Sequence, residues 1–135
     1  MDLTDCPKGE MLLKESDDIL EIAKSAFRLP NNDKMAIAQA KTGSIFGFKA
    51  AGITAATDPH KRKDKGEMFN VSKNDMLREK PRVAYPPMIM EKKQLISAFN
   101  KNAHDVGMNV LELLAGHLNI PSHELTGRHV RLCKP

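Results

Sequence analysis

The stretch from about Met88 to Asn119 constrains this chain more than any other. At about 100° per residue in a helix, Leu95, Phe99, Ala103, Val106, Val110, Leu113 and Leu114 fall on one face. In the second half Met108, Leu111, Ala115 and Leu118 carry the apolar surface round most of the circumference, leaving Asp105, Asn109 and Glu112 as a polar edge. A surface helix needs an apolar stripe little wider than a third of its circumference, whereas one apolar nearly all round is buried centrally. The reading for residues 88–119 is therefore a central helix with protein on two sides.

The remainder of the chain is short on material to surround such a helix. The 135 residues fit one domain, with only five Phe, one Tyr and no Trp, against eight Met. Residues 10–28 carry Leu12, Ile19, Ala23 and Ala26, with Leu13, Leu20 and Phe27 beside them, at helical spacing. Leu29-Pro30 stops that helix, because proline disfavours helix in the residue before it. Asn31 or Asn32 is placed to cap a second helix from Asp33 to about Ala40, ended by Gly43. From residue 43 to 87 the helical period is lost. Four glycines and Pro81, Pro86 and Pro87 punctuate short apolar pieces such as Ser44-Ile45-Phe46-Gly47-Phe48. A loop-rich stretch with one or two short strands follows, and a connection of that length points to a binding role or to support from elsewhere. After the long helix, a short turn of helix from His123 to Thr126 is stopped by Gly127, and residues 128–135 alternate like the start of a strand.

Charge is unevenly spread along the chain. Residues 1–21 hold seven acidic side chains against Lys8 and Lys14, while residues 60–93 hold ten bases against five acids. The densest basic run, His60-Lys61-Arg62-Lys63-Asp64-Lys65, sits in a Pro/Gly-flanked loop whose nearest aromatic is Phe69. A nucleic-acid surface calls for bases on one face with stacking rings among them, so this run reads as a solvated loop. The acidic N-terminus lacks a signal-peptide core, and no apolar run approaches the ~20 residues of a membrane span. A cytoplasmic protein with no membrane partner is the expectation. Cys6 and Cys133, at opposite ends, read as two isolated thiols of a reducing compartment.

Catalytic and metal-binding patterns are missing from the sequence. Helical metal ligands want i, i+3 or i, i+4 spacing, yet His104 and His117 are thirteen apart, and His117 reads as a structural histidine on the apolar face. His123 and His129 flank a turn with no third ligand nearby. Neither cysteine has a local activating arrangement, and there is no GxSxG, GxGxxG or GxxxxGK[ST]. The Asp17-Asp18 pair reads as acid near a helix N-terminus, complementing the dipole. The methionines, Met68, Met76, Met88, Met90 and Met108 among them, suit either an adaptable binding surface or core filling.

The order of the segments resembles the N-terminal region of isopenicillin-N-synthase-like oxygenases, which are non-heme iron, 2-oxoglutarate-dependent enzymes. The matching pieces are F-x-L-P-x-x-x-K at Phe27, Leu29, Pro30 and Lys34; G-Y/F-x-x-x-G at Gly47, Phe48 and Gly52; and E-x-F-x-x-S at Glu67, Phe69 and Ser72, ahead of a proline-led long helix. The resemblance covers about residues 10–135. It implies a mainly α chain with a loop-rich middle and one or two short strands, corresponding to the N-terminal helical part of a jelly-roll oxygenase without the barrel. Its divisions would be a helical pair over 10–42, a loop-rich segment over 43–87, the long helix over 88–119, and the start of the first barrel strand over 128–135. The family's opening strand and first helix have no counterpart before residue 10.

In that family the iron ligands and the arginine for 2-oxoglutarate lie in the barrel, so no position here inherits those roles. A 2-His-1-carboxylate centre needs three protein ligands. The resemblance therefore implies a non-catalytic chain that binds no cofactor itself, with Fe(II) and 2-oxoglutarate held by a partner. It looks like the truncated member of a fungal heterodimeric oxygenase of meroterpenoid biosynthesis. The partner interface is expected at Val106, Met108, Val110, Leu111, Leu114, Leu118, Val130 and Leu132. The loop residues Phe46, Phe48, Lys49, Ile53 and Thr54 would line the partner's substrate pocket, Lys49 pairing with a substrate acid or a partner carboxylate. The alternative from another class is a stand-alone helical interaction or nucleic-acid-binding module using the basic 60–93 stretch.

Overall fold

The computed structural model describes residues 8–53, 59–127 and 129. The elements run α1 (Gly9–Phe27), α2 (Asn31–Ala36), α3 (Gln39–Thr42), β1 (Gly47–Lys49), β2 (Met68–Asn70), α4 (Lys73–Leu77), α5 (Pro87–Glu91), α6 (Lys93–His117) and α7 (His123–Thr126). The chain is mainly helical with one small two-stranded antiparallel sheet, and no barrel is present among the described residues. Its contacts divide it into two compact units, Met1–Ile19 with Gln94–Pro135, and Leu20–Lys93. No helix among the described residues is long and apolar enough to cross a membrane.

The Leu20–Lys93 unit is built around Phe48. Its ring is fully buried, 6.5 Å centroid to centroid from Phe69, its cross-strand partner in the β1–β2 register. The ammonium of Lys34 lies 4.9 Å from the Phe48 centroid, 3.1 Å from Glu67 Oε2 and 3.4 Å from the Phe27 carbonyl oxygen. Lys34 is itself buried. A buried cation is tolerated only when it is paired and hydrogen-bonded, and here an aromatic face adds to the carboxylate and the carbonyl. Phe27, Lys34, Phe48, Glu67 and Phe69, spread over three short sequence motifs, thus converge on a single cluster.

That convergence explains a break the sequence reading did not foresee. One helix was expected from Asp33 to about Ala40, capped by an asparagine. Instead α2 begins at Asn31 with Pro30 before it and no side-chain cap, and the helix divides at Ile37-Ala38. Ala38 forms a parallel bridge with Phe48, and the Ile37 carbonyl accepts the Phe48 N–H at 3.1 Å. A long-range strand contact has interrupted a local helix. Gly47 makes the approach possible: its φ is +100°, and a Cβ there would stand 2.4 Å from the Ile37 oxygen. Gln39 Nε2 then ties the turn down by donating to the carbonyls of Ile45 (2.7 Å) and Gly47 (3.3 Å). Gly43 ends α3 in the left-handed conformation, as its position past the last turn suggests.

The loop-rich middle holds a further element, α4. Ser72 caps it, its Oγ accepting the Asp75 N–H at 3.3 Å, a Ser-x-x-Asp start that is visible in the sequence. Around this cap a buried polar group assembles. The Tyr85 hydroxyl accepts the Ser72 N–H and donates to Asp75 Oδ2, each at 3.1 Å. Arg82 Nε approaches Asp75 Oδ1 at 3.5 Å without a hydrogen bond. Burial pushes the Tyr85 hydroxyl up to about 12, reinforced by the Asp75 carboxylate and opposed by the Ser72 N–H and the Arg82 charge.

Two expectations about the helices need correction. The expected single helix over 88–119 is α5 followed by α6, divided at Lys92, whose N–H reaches back to Ile89 and Met90. Asp17 and Asp18 are not near a helix start: α1 begins at Gly9, which leaves Glu10 as the first-turn acid, and Asp18 pairs with Lys14 at 2.8 Å one turn earlier.

Candidate partner-binding surface

The unit formed by Met1–Ile19 and Gln94–Pro135 carries the face of interest. Leu12, Ile96 and Ala115 are its buried apolar side chains among the described residues. Ala115 has no exposure at all, and Met108 and Leu111, which share its side of α6, are half-buried. On the opposite side, set off by the 200° between residues 113 and 115, the helix is open. Leu113 is 76% exposed and Val110 and Leu114 are exposed beside it, and Leu118 and Ile120, just past the end of the helix, are exposed as well. The central burial expected of this helix is therefore half present. Its inner face packs, and among the described residues nothing covers its outer face beyond about Val110. His117, expected as a structural histidine on the apolar face, is exposed at the end of α6 on that same open side.

Set against the expected interface, Val110, Leu114 and Leu118 lie on the open surface, Val106 is half-buried at its edge, and Met108 and Leu111 turn inward. Val130 and Leu132 lie outside the described residues, as do Cys6, Cys133 and almost all of the expected strand over 128–135. Leu113 was read on the apolar face of the helix but not as an interface residue, and it is the most exposed of the large apolar side chains. Ile120 was missed altogether. It follows the helix, where helical periodicity no longer applies, and its N–H returns to the Ala115 carbonyl at 3.1 Å.

The same unit contains a groove of about 190 Å³ lined by Lys8, Leu12, Asn102, Asp105, Val106 and Asn109. Behind it, Glu15 is about nine-tenths buried. Asn102 Nδ2 donates to both Glu15 carboxylate oxygens, at 3.0 and 2.9 Å. Residues 102, 105/106 and 109 are one turn apart on α6, and 8 and 12 are one turn apart along α1 and its entry, so each helix presents one row to the groove.

The expected pocket-lining loop has a different character in the Leu20–Lys93 unit. Phe48 is a core residue, Phe46 is half-buried, and Ile53 is exposed. Thr54 lies outside the described residues. Lys49, expected to meet an acid from elsewhere, pairs with Asp64 of its own chain and also donates to the Gly66 carbonyl at 3.3 Å. Asp64 in turn accepts the Gly52 N–H through both its carbonyl oxygen (2.8 Å) and Oδ1 (2.9 Å). These bonds close the base of the basic loop, whose Lys61, Arg62, Lys63 and Lys65 are exposed.

No group of three or more His, Cys, Asp or Glu side chains among the described residues is placed to hold a metal ion. Comparison with known proteins finds no matching family model, no similar curated protein and no similar solved structure.

Proposed function

We propose that this chain is an accessory, non-catalytic subunit that heterodimerises with a complete non-heme iron/2-oxoglutarate oxygenase, stabilises it and helps to shape its substrate pocket. The observation that carries the reading is the open outer face of α6 and its continuation, Val110, Leu113, Leu114, Leu118 and Ile120. Exposed large apolar side chains gathered on one short stretch of chain point to an interaction surface, and each such side chain fully covered contributes about 1.5–3 kcal/mol. The nature of the partner follows from the resemblance of residues 10–135 to the oxygenases' helical region. In this reading Fe(II) and 2-oxoglutarate belong to the partner, and the small-molecule substrate, a fungal secondary metabolite of the meroterpenoid class, meets this chain only through the complex. The interface extends along Val106, Val110, Leu114 and Leu118, and the complex works in the cytoplasm.

The test is to express the chain alone and together with the oxygenase encoded beside it. Co-purification, with iron-dependent turnover higher in the pair than in the oxygenase alone, supports the reading. A chain that is soluble and monomeric by itself, does not co-purify and leaves turnover unchanged refutes it.

A further inference from the structure

We infer that the basic loop of the Leu20–Lys93 unit is a peripheral docking surface for an anionic phospholipid bilayer. In sequence, Lys61-Arg62-Lys63-Asp64-Lys65-Gly66-Glu67 mixes both signs of charge, and the fold sorts them. Asp64 pairs with Lys49 of β1, and Glu67 pairs with Lys34 of α2 at 3.1 Å. Both acids of the run are thus neutralised by lysines from elsewhere in the unit. The side chains of Lys61, Lys63 and Lys65 are exposed and form no ion pair among the described residues. The setting adds to their charge, because residues 20–93 hold fifteen bases against eight acids. Such a surface attracts polyanions across a Debye length of water.

Three observations select the polyanion. The exposed cations without a partner are lysines, whose compact ammonium meets phosphate as a point charge, whereas recognition of protein carboxylates favours the planar fork of arginine. Stacking on nucleobases needs exposed rings, but Phe48 is buried and Phe69 is half-buried against it. The apolar side chain beside the lysines is instead aliphatic. Ile53 is 52% exposed, and the Lys63 stem crosses Gly52 next to it, its Cδ 3.7 Å from where a Cβ on that glycine would stand. The bonds from Asp64 to the Gly52 N–H and to Lys49 hold the two segments together. Lysines flanking an exposed aliphatic side chain match a headgroup layer, where ammonium groups meet phosphates and the apolar group enters the acyl boundary. Each lysine at an anionic membrane surface strengthens partitioning about fivefold, and three together about a hundredfold. That is a reversible attachment, compatible with a cytoplasmic complex formed through α6.

The test is co-sedimentation of the full chain with vesicles of phosphatidylcholine alone and of phosphatidylcholine with about one third phosphatidylserine, each at about 0.1 M and about 0.5 M NaCl. Partitioning at least tenfold stronger on the anionic vesicles at the lower salt, and largely lost at the higher, is expected. Replacing Lys61, Lys63 and Lys65 together by Gln should weaken it at least tenfold. Ile53→Ser should weaken it at least threefold with the charge unchanged. All four side chains are exposed and stand outside the Lys49–Asp64 pair, so the urea midpoints of the variants should match the parent's. The lipid and salt dependence of the parent chain tests the inference even where a variant fails to fold. Equal partitioning on neutral and anionic vesicles, binding that survives the higher salt, or a folded triple-lysine or Ile53→Ser variant that binds like the parent overturns it. So does tighter binding of a single-stranded oligonucleotide than of the anionic vesicles at equal phosphate concentration, which assigns the loop to nucleic acid.

Discussion

Replacing Tyr85 by Phe removes one oxygen atom and breaks two buried hydrogen bonds. The Ser72 N–H loses its acceptor and Asp75 Oδ2 loses its donor, both at 3.1 Å. Ser72 and Asp75 are both buried, at 3% and 1% exposure, so water does not simply take the hydroxyl's place. Leaving a buried donor or acceptor unsatisfied costs about 1–3 kcal/mol each. Asp75 Oδ1 accepts no hydrogen bond and has the ion pair to Arg82 at 3.5 Å instead, so the carboxylate has little further compensation to draw on. A loss of about 2–6 kcal/mol is expected from the pair, a large share of the roughly 5–15 kcal/mol by which a domain is stable. Urea denaturation followed by circular dichroism at 222 nm measures it. With a slope of about 2 kcal/mol per molar, the midpoint should fall by about 1–3 M at unchanged slope. A midpoint within about 0.2 M of the parent chain would show that the cap of α4 does not depend on this hydroxyl.

Three further predictions concern the Leu20–Lys93 unit. Tyr85 keeps its proton up to about 12 in the folded chain, against about 10 when unfolded. Its contribution is therefore complete below about pH 10 and is lost as the pH rises towards 12. The stability difference between the parent chain and Tyr85→Phe should narrow across that window, and a difference that stays constant contradicts the assignment. Gly47→Ala places a Cβ at 2.4 Å from the Ile37 oxygen on a backbone of φ +100°; thermal melting should show a loss of at least about 2 kcal/mol, and an unchanged melting temperature refutes the close approach. Lys34→Met keeps the aliphatic stem but removes the charge over Phe48 and the bond to the Phe27 carbonyl. A cost of about 1–2 kcal/mol is expected in urea, limited because Glu67 is exposed enough to rehydrate; a variant more stable than the parent counts against the cluster.

What the sequence disclosed and what it hid follow from the range of the interactions involved. The stripe from Leu12 to Ala26 specifies α1, and Gly43 and Gly127 mark helix ends, because those signals are local. The division of α2 from α3 was hidden, because it depends on Phe48 arriving from ten residues away. α4 was legible through Ser72 and Asp75 but was masked by the surrounding glycines and prolines. On α6, periodicity identified the apolar residues but not their destinations. With apolar side chains on both sides, nothing local says that Ala115, Met108 and Leu111 turn inward while Leu113 faces out. The Glu15–Asn102 bond joins residues 87 apart, and neither residue has a neighbour that announces it.

The outer face of α6 remains the centre of the account. The measurement that tests it most directly is affinity co-purification of the proposed oxygenase partner on the tagged chain, comparing the parent with a Leu113→Asp, Leu118→Asp double variant. Both side chains are more than half exposed, so the substitutions should leave the chain's own urea midpoint nearly unchanged. The account predicts an approximately equimolar complex with the parent chain and its loss with the double variant. An oxygenase that never co-purifies, or one retained equally by both chains, contradicts it.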